Sequence, residues 1–202
     1  MDLSHPTPPN CTAFAGRRLI ASGPLPAVAV AVKRALQADE SEPVFIYDDD
    51  TGRLVDVDLR GSDDEITART HPATHAAPHA PAPARGRGRP KLGVVSREVT
   101  LLPRHWEWLG AQPGGASVAL RKLVEEARRA NADTDRQRQR TEAAYRFMLS
   151  IAGELPGYEE ATRALFAGDA QRFAVHVQGW PEDIRAHATW LAFGERNGAG
   201  PA

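Results

Sequence analysis

Apolar positions along the chain change their spacing, and the predicted elements change with it. Residues 12–21 read as two short strands turning near Gly16-Arg17, with Phe14, Leu19 and Ile20 available for a core. Over residues 24–37, Val28, Val32 and Leu36 recur at helical spacing, and Pro24 and Pro26 fall at the start, where proline is tolerated. Val44-Phe45-Ile46-Tyr47 is a β-rich run, and Asp50-Thr51-Gly52 signals a turn. Leu54-Val55-Asp56-Val57-Asp58-Leu59 then alternates apolar and polar with period two. The order β-β-α-β-β, followed by a short helix over 62–69, predicts a small α+β domain at residues 11–70.

Helical spacing dominates the C-terminal half. Residues 97–103 read as a strand stopped by Pro103, and residues 104–111 as a short helix with Leu102, Trp106 and Leu109 on one side. Gln112-Pro113-Gly114-Gly115 is a break. A second helix is expected to start near Ser117 as N-cap and to bury Leu120, Leu123, Val124 and Ala127. Ala144, Phe147, Met148, Ile151 and Leu155 form the next stripe, ended by Pro156-Gly157. Tyr158, Ala161 and Leu165, then Phe173 and Val177, and finally Ile184, Ala188 and Leu191 mark three more helices, with breaks at Gly168-Asp169 and Trp180-Pro181. The predicted fold class is therefore α+β: a small N-terminal β-β-α-β-β unit, a disordered Ala/Pro/His linker, and a mainly helical C-terminal half with one short strand. The predicted division is a tail at 1–10, the α+β domain at 11–70 and a linker with a basic arm at 71–92. A strand-helix-helix unit at 93–131, helices at 132–194 and a tail at 195–202 complete it.

Charge changes this picture more than composition does. The chain has 25 Lys and Arg against 26 Asp and Glu, a net charge of −1. Divided along its length, residues 1–84 carry −5, residues 85–150 carry +7 and residues 151–202 carry −3. A basic centre between acidic flanks points to a polyanionic partner. Its sharpest part is Arg85-Gly86-Arg87-Gly88-Arg89-Pro90-Lys91, four positive charges in seven residues with no acid. Such an arm gains affinity by displacing counterions from phosphates, whatever the base sequence. Arg97, Arg121 and Lys122 are further candidate contacts. Arg128 and Arg129 share their helix with Glu125 and Glu126, which suits ordinary helix pairing.

The stretch Arg87-Gly88-Arg89-Pro90-Lys91 resembles the AT-hook, a minor-groove peptide built around Gly-Arg-Pro. The resemblance implies that Arg85, Arg87, Gly88, Arg89, Pro90 and Lys91 contact duplex DNA. Strand, proline, short helix, glycine turn and longer helix resemble the ribbon-helix-helix family. The match rests on Leu102-Pro103, Gly115 and Leu120-Arg121. That resemblance implies a homodimer paired through the strand from residue 95 to residue 102 (Val95 and Leu102 at its ends) and a ribbon in the major groove. The strand departs from the family pattern. Counting back from Pro103, the groove-facing positions fall on Arg97, Val99 and Leu101, and Glu98, Thr100 and Leu102 face the core. A shift of one residue would exchange the two faces, so binding led by the arm and weak in sequence preference is expected. Over nearly its full length the chain resembles domain-of-unknown-function family 2239 of bacteria. That likeness runs through Thr12-Ala13-Phe14-Ala15-Gly16, Arg89-Pro90-Lys91-Leu92-Gly93-Val94-Val95, Leu102-Pro103-Arg104-His105-Trp106-Glu107-Trp108 and the run Ala161-Thr162-Arg163-Ala164-Leu165-Phe166-Ala167-Gly168-Asp169. It implies one coherent protein and carries no activity with it.

Other chemistry is thinly represented. The chain has none of the nucleophile-elbow, P-loop, dinucleotide-binding or His-Glu-x-x-His motifs. His105 beside Glu107 is not a dyad, because helical neighbours diverge by about 100° per residue. His187 has no acid at a useful spacing. The expectation is no catalytic residue, no metal and no cofactor. His71, His75 and His79 are interleaved with Pro72, Pro78, Pro81 and Pro83, which oppose the helix that would align them. Asp48, Asp49, Asp50, Asp56 and Asp58 read as a solvated face and turn, because the calcium-loop spacing is absent. Cys11 is the only cysteine and reads as a buried structural thiol. No apolar run reaches the roughly 18–20 residues that span a bilayer, and the N-terminus lacks a secretory signal. A cytoplasmic location, no membrane partner, and either duplex DNA or a protein as partner are expected. The two functional readings are a DNA-binding regulator or nucleoid-associated factor and a non-enzymatic adaptor with a solubilising basic linker.

Overall fold

The computed structural model describes residues 10–38, 42–71 and 97–194. Residues 1–9 and 195–202 of the expected tails, His75, His79 and the basic arm lie outside the described residues, whereas Asn10, expected in the first tail, begins the first strand. The chain divides into two compact units, residues 1–76 with 136–202, and residues 77–135.

In the first unit, β1 (Asn10–Ala15) and β2 (Arg18–Pro24) form an antiparallel hairpin that turns at Gly16-Arg17. Gly16 adopts φ 54°, and its backbone N–H donates to the Pro43 carbonyl at 2.9 Å. β3 (Val44–Asp48) pairs antiparallel with β1 on its other side, so the sheet order is β2-β1-β3. β1 is therefore central and is buried on both faces. Cys11 and Ala13 join Ile46 and the α1 (Leu25–Gln37) residues Val28 and Val32 in one core. Phe14 points the other way, with Tyr47, into a second core built from the C-terminal helices. This is the period-two consequence of strand geometry, and it makes a three-layer arrangement of helix, sheet and helices.

The expected fourth strand over residues 54–59 is not formed. Leu54 makes an isolated bridge to Tyr47, and Val55 N–H donates to the Ile46 carbonyl at 2.8 Å. Val55, Val57 and Leu59 still pack against the first core, so the alternation reports packing. The backbone leaves the ladder because side chains take over its hydrogen bonds. Asp58 accepts from Arg60 N–H at 3.1 Å, and Arg69 donates to the Asp58 and Arg60 carbonyls. α2 (Asp63–Thr70) follows, opened by a capping box between Ser62 and Glu65. Lys33 Nζ on α1 reaches Asp63 at 2.8 Å and the Gly61 carbonyl at 2.7 Å.

The helical layer comprises α5 (Ala132–Ile151), α6 (Tyr158–Phe166), α7 (Ala170–Val177) and α8 (Glu182–Phe193). Glycine in the left-handed region at Gly157 (φ 77°) and Gly168 (φ 68°) makes the tight breaks on either side of α6. Phe147, Met148, Leu165, Phe173, Val177 and Ile184 are fully buried. Trp180 is buried too, and its indole donates to the Pro156 carbonyl at 2.9 Å.

Candidate nucleic-acid interface

The second unit is described from residue 97. Residues 97–102 form no regular secondary structure, and Pro103 then opens α3 (Pro103–Gly110). They form no β-ladder, which corrects the expected strand: among the described residues they have no neighbouring strand to pair with. α4 (Gly115–Ala130) begins before Ser117, contrary to the expected cap. Gly114 is its N-cap at φ 86°, and Gly115 follows at φ 73°. Two consecutive left-handed residues make the turn without a capping side chain.

The two helices bury little against each other. Leu109 and Ala119 are buried, as the joint between them requires. The expected burial of Leu123 and Val124 does not occur: they are 43% and 63% exposed. Leu102, Trp106 and Val99 are also exposed. At about 100° per residue, Leu102, Trp106 and Leu109 share one face of α3, and Ala119, Leu123 and Ala127 share one face of α4. The unit thus presents an apolar side.

The candidate cations lie on the same unit. Arg97, Arg121 and Lys122 are exposed. Arg97 lies on the segment before α3, whereas Arg121 and Lys122 lie on α4, outside the Ala119 and Leu123 stripe. Arg121 Nε donates to the Ser117 carbonyl at 3.0 Å within its own helix. No hydrogen bond or ion pair among the described residues joins Arg97 to Arg121 or Lys122. Arg128 and Arg129 both pair with Glu125, at 2.9 and 3.1 Å. The hydrogen bond from Arg128 holds the Glu125 carboxyl below its ordinary range and raises the guanidinium. These two arginines are therefore partly neutralised. Arg85, Arg87, Gly88, Arg89, Pro90 and Lys91 lie outside the described residues.

One grouping in the first unit escaped the sequence reading. Asp49, expected in a solvated turn, is only 7% exposed and accepts a hydrogen bond from Thr12 Oγ1 at 2.8 Å. His187, expected to lack an acid, is buried with Nε2 3.7 Å from Asp49 Oδ1. Its ring is walled by Phe14, Phe147 and Trp190 at centroid distances of 5.5, 4.7 and 5.4 Å. The three polar side chains come from β1, the turn after β3 and α8, and they form a buried joint between the sheet and the helices. Only the tertiary fold brings such distant positions together. An open cleft nearby is lined by Gly16, Arg17, Glu42, Glu182 and Asp183. Of these, Asp183 accepts a hydrogen bond at Oδ2 from Leu19 N–H at 2.8 Å. Burial, helped by Asp48, Asp49 and Asp50, pushes the Cys11 thiol up to about 12, as an inert structural cysteine requires. Among the described residues there is no group of three or more metal-ligating side chains, and no helix long and apolar enough to cross a membrane.

The sequence profile of the DUF2239 family, described as an uncharacterised protein conserved in bacteria, matches residues 10–192, and the chain belongs to that family. No curated protein and no solved structure matches it.

Proposed function

We propose that this member of the DUF2239 family is a non-enzymatic DNA-binding protein, led by its arm and weakly sequence-specific, of the regulator or nucleoid-associated kind. The observation that carries the reading is the partition of charge: +7 over residues 85–150 in a chain whose net charge is −1. Arg85, Arg87, Arg89 and Lys91 concentrate four of those charges, and counterion release requires no particular fold of the arm. Arg97, Arg121 and Lys122 add exposed cations on the neighbouring unit.

A second copy of the chain completes the proposal. Residues 97–102 belong to no sheet among the described residues, and Leu102, Trp106 and Leu123 of the same unit are exposed. Antiparallel pairing of two such segments would satisfy both backbones with one two-fold operation and cover both apolar sides. The same exposed side favours a second reading, an adaptor whose partner is another protein and whose arm only solubilises.

The test is a mobility-shift titration of the full chain and a form lacking residues 85–91, on A·T-rich and G·C-rich duplexes. The proposal expects retardation of both duplexes, with an A·T preference that disappears with the arm. Unchanged affinity after the deletion removes the arm's role. No retardation at low salt, together with capture of a specific protein, favours the adaptor.

A further inference from the structure

Leu120, Leu123, Val124 and Ala127 lie on α4 at i, i+3, i+4 and i+7, within about 100° of one another around its axis. This face does not enter the core of its own unit. Leu123 is 43% and Val124 63% exposed, Ala127 is exposed and Leu120 is half-buried. The charges beside the face are ordered. From a centre between residues 123 and 124, the helix reads Leu123-Lys122-Arg121-Leu120 in one direction and Val124-Glu125-Glu126-Ala127 in the other. Each apolar position answers an apolar one, and each base answers an acid. Such a helix is complementary to itself turned end for end.

Helix geometry keeps that complementarity in three dimensions. At about 100° per residue, Arg121 and Glu125 project on one flank of the face, and Lys122 and Glu126 on the other. A two-fold axis through the centre sets two α4 helices antiparallel and lays each flank beside the same flank of the second copy. Leu123 then meets Val124 of the second copy, and Leu120 meets its Ala127. Arg121 comes level with Glu125 of the second copy, and Lys122 with its Glu126, each within about 1.5 Å along the axis, the rise of one residue. Glu125 is already held by Arg128 and Arg129 of its own helix. Lys122 and Glu126 are exposed and make no ion pair among the described residues, so the larger gain lies on their flank.

We propose that α4 is the contact through which two copies of this chain pair, antiparallel, about a two-fold axis between residues 123 and 124. Many partners could cover an apolar face. A charge order that reverses about the middle of that face selects the same helix turned round. The pairing rests on the second copy invoked in the preceding reading, and not on DNA binding.

The experiment is sedimentation velocity over a series of protein concentrations. It uses the full chain and the variants Leu123→Ser, Lys122→Glu and Glu126→Lys, each checked by circular dichroism. The full chain is expected to dimerise, and Leu123→Ser to weaken the dimer by about 10-fold or more, because the contact is lost twice. Lys122→Glu and Glu126→Lys each set like charges level at two places and weaken it by roughly 10-fold. An equimolar mixture of those two variants regains the affinity of the unaltered chain, since opposite charges then face each other between copies. Ion pairing within one helix cannot produce that recovery. A full chain that stays monomeric, variants that dimerise as tightly as it does, or a mixture no tighter than its components overturns the pairing. A monomer that still binds duplex in a salt-dependent way overturns the pairing and leaves the DNA reading standing. A dimer that behaves as described and binds no duplex supports the pairing and removes the DNA reading.

Discussion

Phe14 on β1 and Phe147 on α5 offer the clearest perturbation of the joint between sheet and helices. Both are fully buried, and their ring centroids lie 5.5 Å apart with planes tilted by 41°. Phe14 also meets Tyr47 at 6.1 Å and His187 at 5.5 Å, and Phe147 meets the same two rings at 5.0 and 4.7 Å. A Phe→Leu change keeps most of the apolar volume, which limits the packing cost to less than about 1.5 kcal/mol. It removes ring pairings worth about 0.5–1.5 kcal/mol each. Phe14→Leu and Phe147→Leu should therefore each cost roughly 1.5–3 kcal/mol. With a urea slope of about 1–3 kcal/mol per molar, each midpoint falls by about 1 M. The double variant should cost less than the sum, by roughly 0.5–1.5 kcal/mol, because each single change already breaks the shared pair. Urea titration of the four proteins measures this, with amide exchange at β1 and α5 reporting the two layers. Strict additivity, or separate midpoints for β1 and α5, would refute a shared core.

Three further outcomes follow from the same unit. Gly52 adopts φ 65°, and a Cβ there would meet the Ala143 carbonyl at 2.0 Å, whereas Gly168 at φ 68° opens onto empty space. Gly52→Ala should cost about 2–4 kcal/mol and Gly168→Ala about 1–2 in thermal unfolding, and equal losses would contradict the packing of this turn on α5. With its thiol raised to about 12, Cys11 should resist alkylation at pH 8 in the native protein and react once urea unfolds it; fast native labelling would place it elsewhere. Hydrogen bonds from Lys33 and Arg34 hold Asp63 below the ordinary carboxylate range. Its contribution is therefore present above the unfolded value of about 4 and is lost as pH falls through the lower folded value. Amide exchange in α2 should accelerate over that acid window and lose this dependence in Asp63→Asn; an unchanged acid profile in the variant would deny the link.

Legibility in the sequence followed the range of the interaction. The hairpin turn at Gly16-Arg17, α1 and the breaks at Pro156-Gly157 and Trp180-Pro181 were readable because local spacing and turn chemistry determine them. Residues 54–59 misled because alternation encodes which side is buried and does not encode a hydrogen-bonded neighbour; Val57 keeps its side while the backbone bonds to side chains. Ser117 looked like a cap, yet the two glycines before it could take the turn themselves. Leu123 and Val124 carry the pattern of a buried stripe on a helix that has too small a neighbour to bury them. The candidate interface divides in the same way. Its charge can be summed from the chain alone, whereas the exposure of Trp108 and the approach of His187 to Asp49 exist only in three dimensions.

The most direct test of nucleic-acid binding is the salt dependence of duplex affinity. Arg85, Arg87, Arg89 and Lys91 supply four charges, so replacing all four with alanine should reduce the slope of log K against log salt by up to about 3.6, at roughly 0.9 per neutralised phosphate. Measured in the full chain between 50 and 200 mM salt, roughly the range over which such slopes are read, a steep slope that flattens by that amount is the predicted result. An affinity independent of salt, or a slope unchanged by the four substitutions, would contradict it.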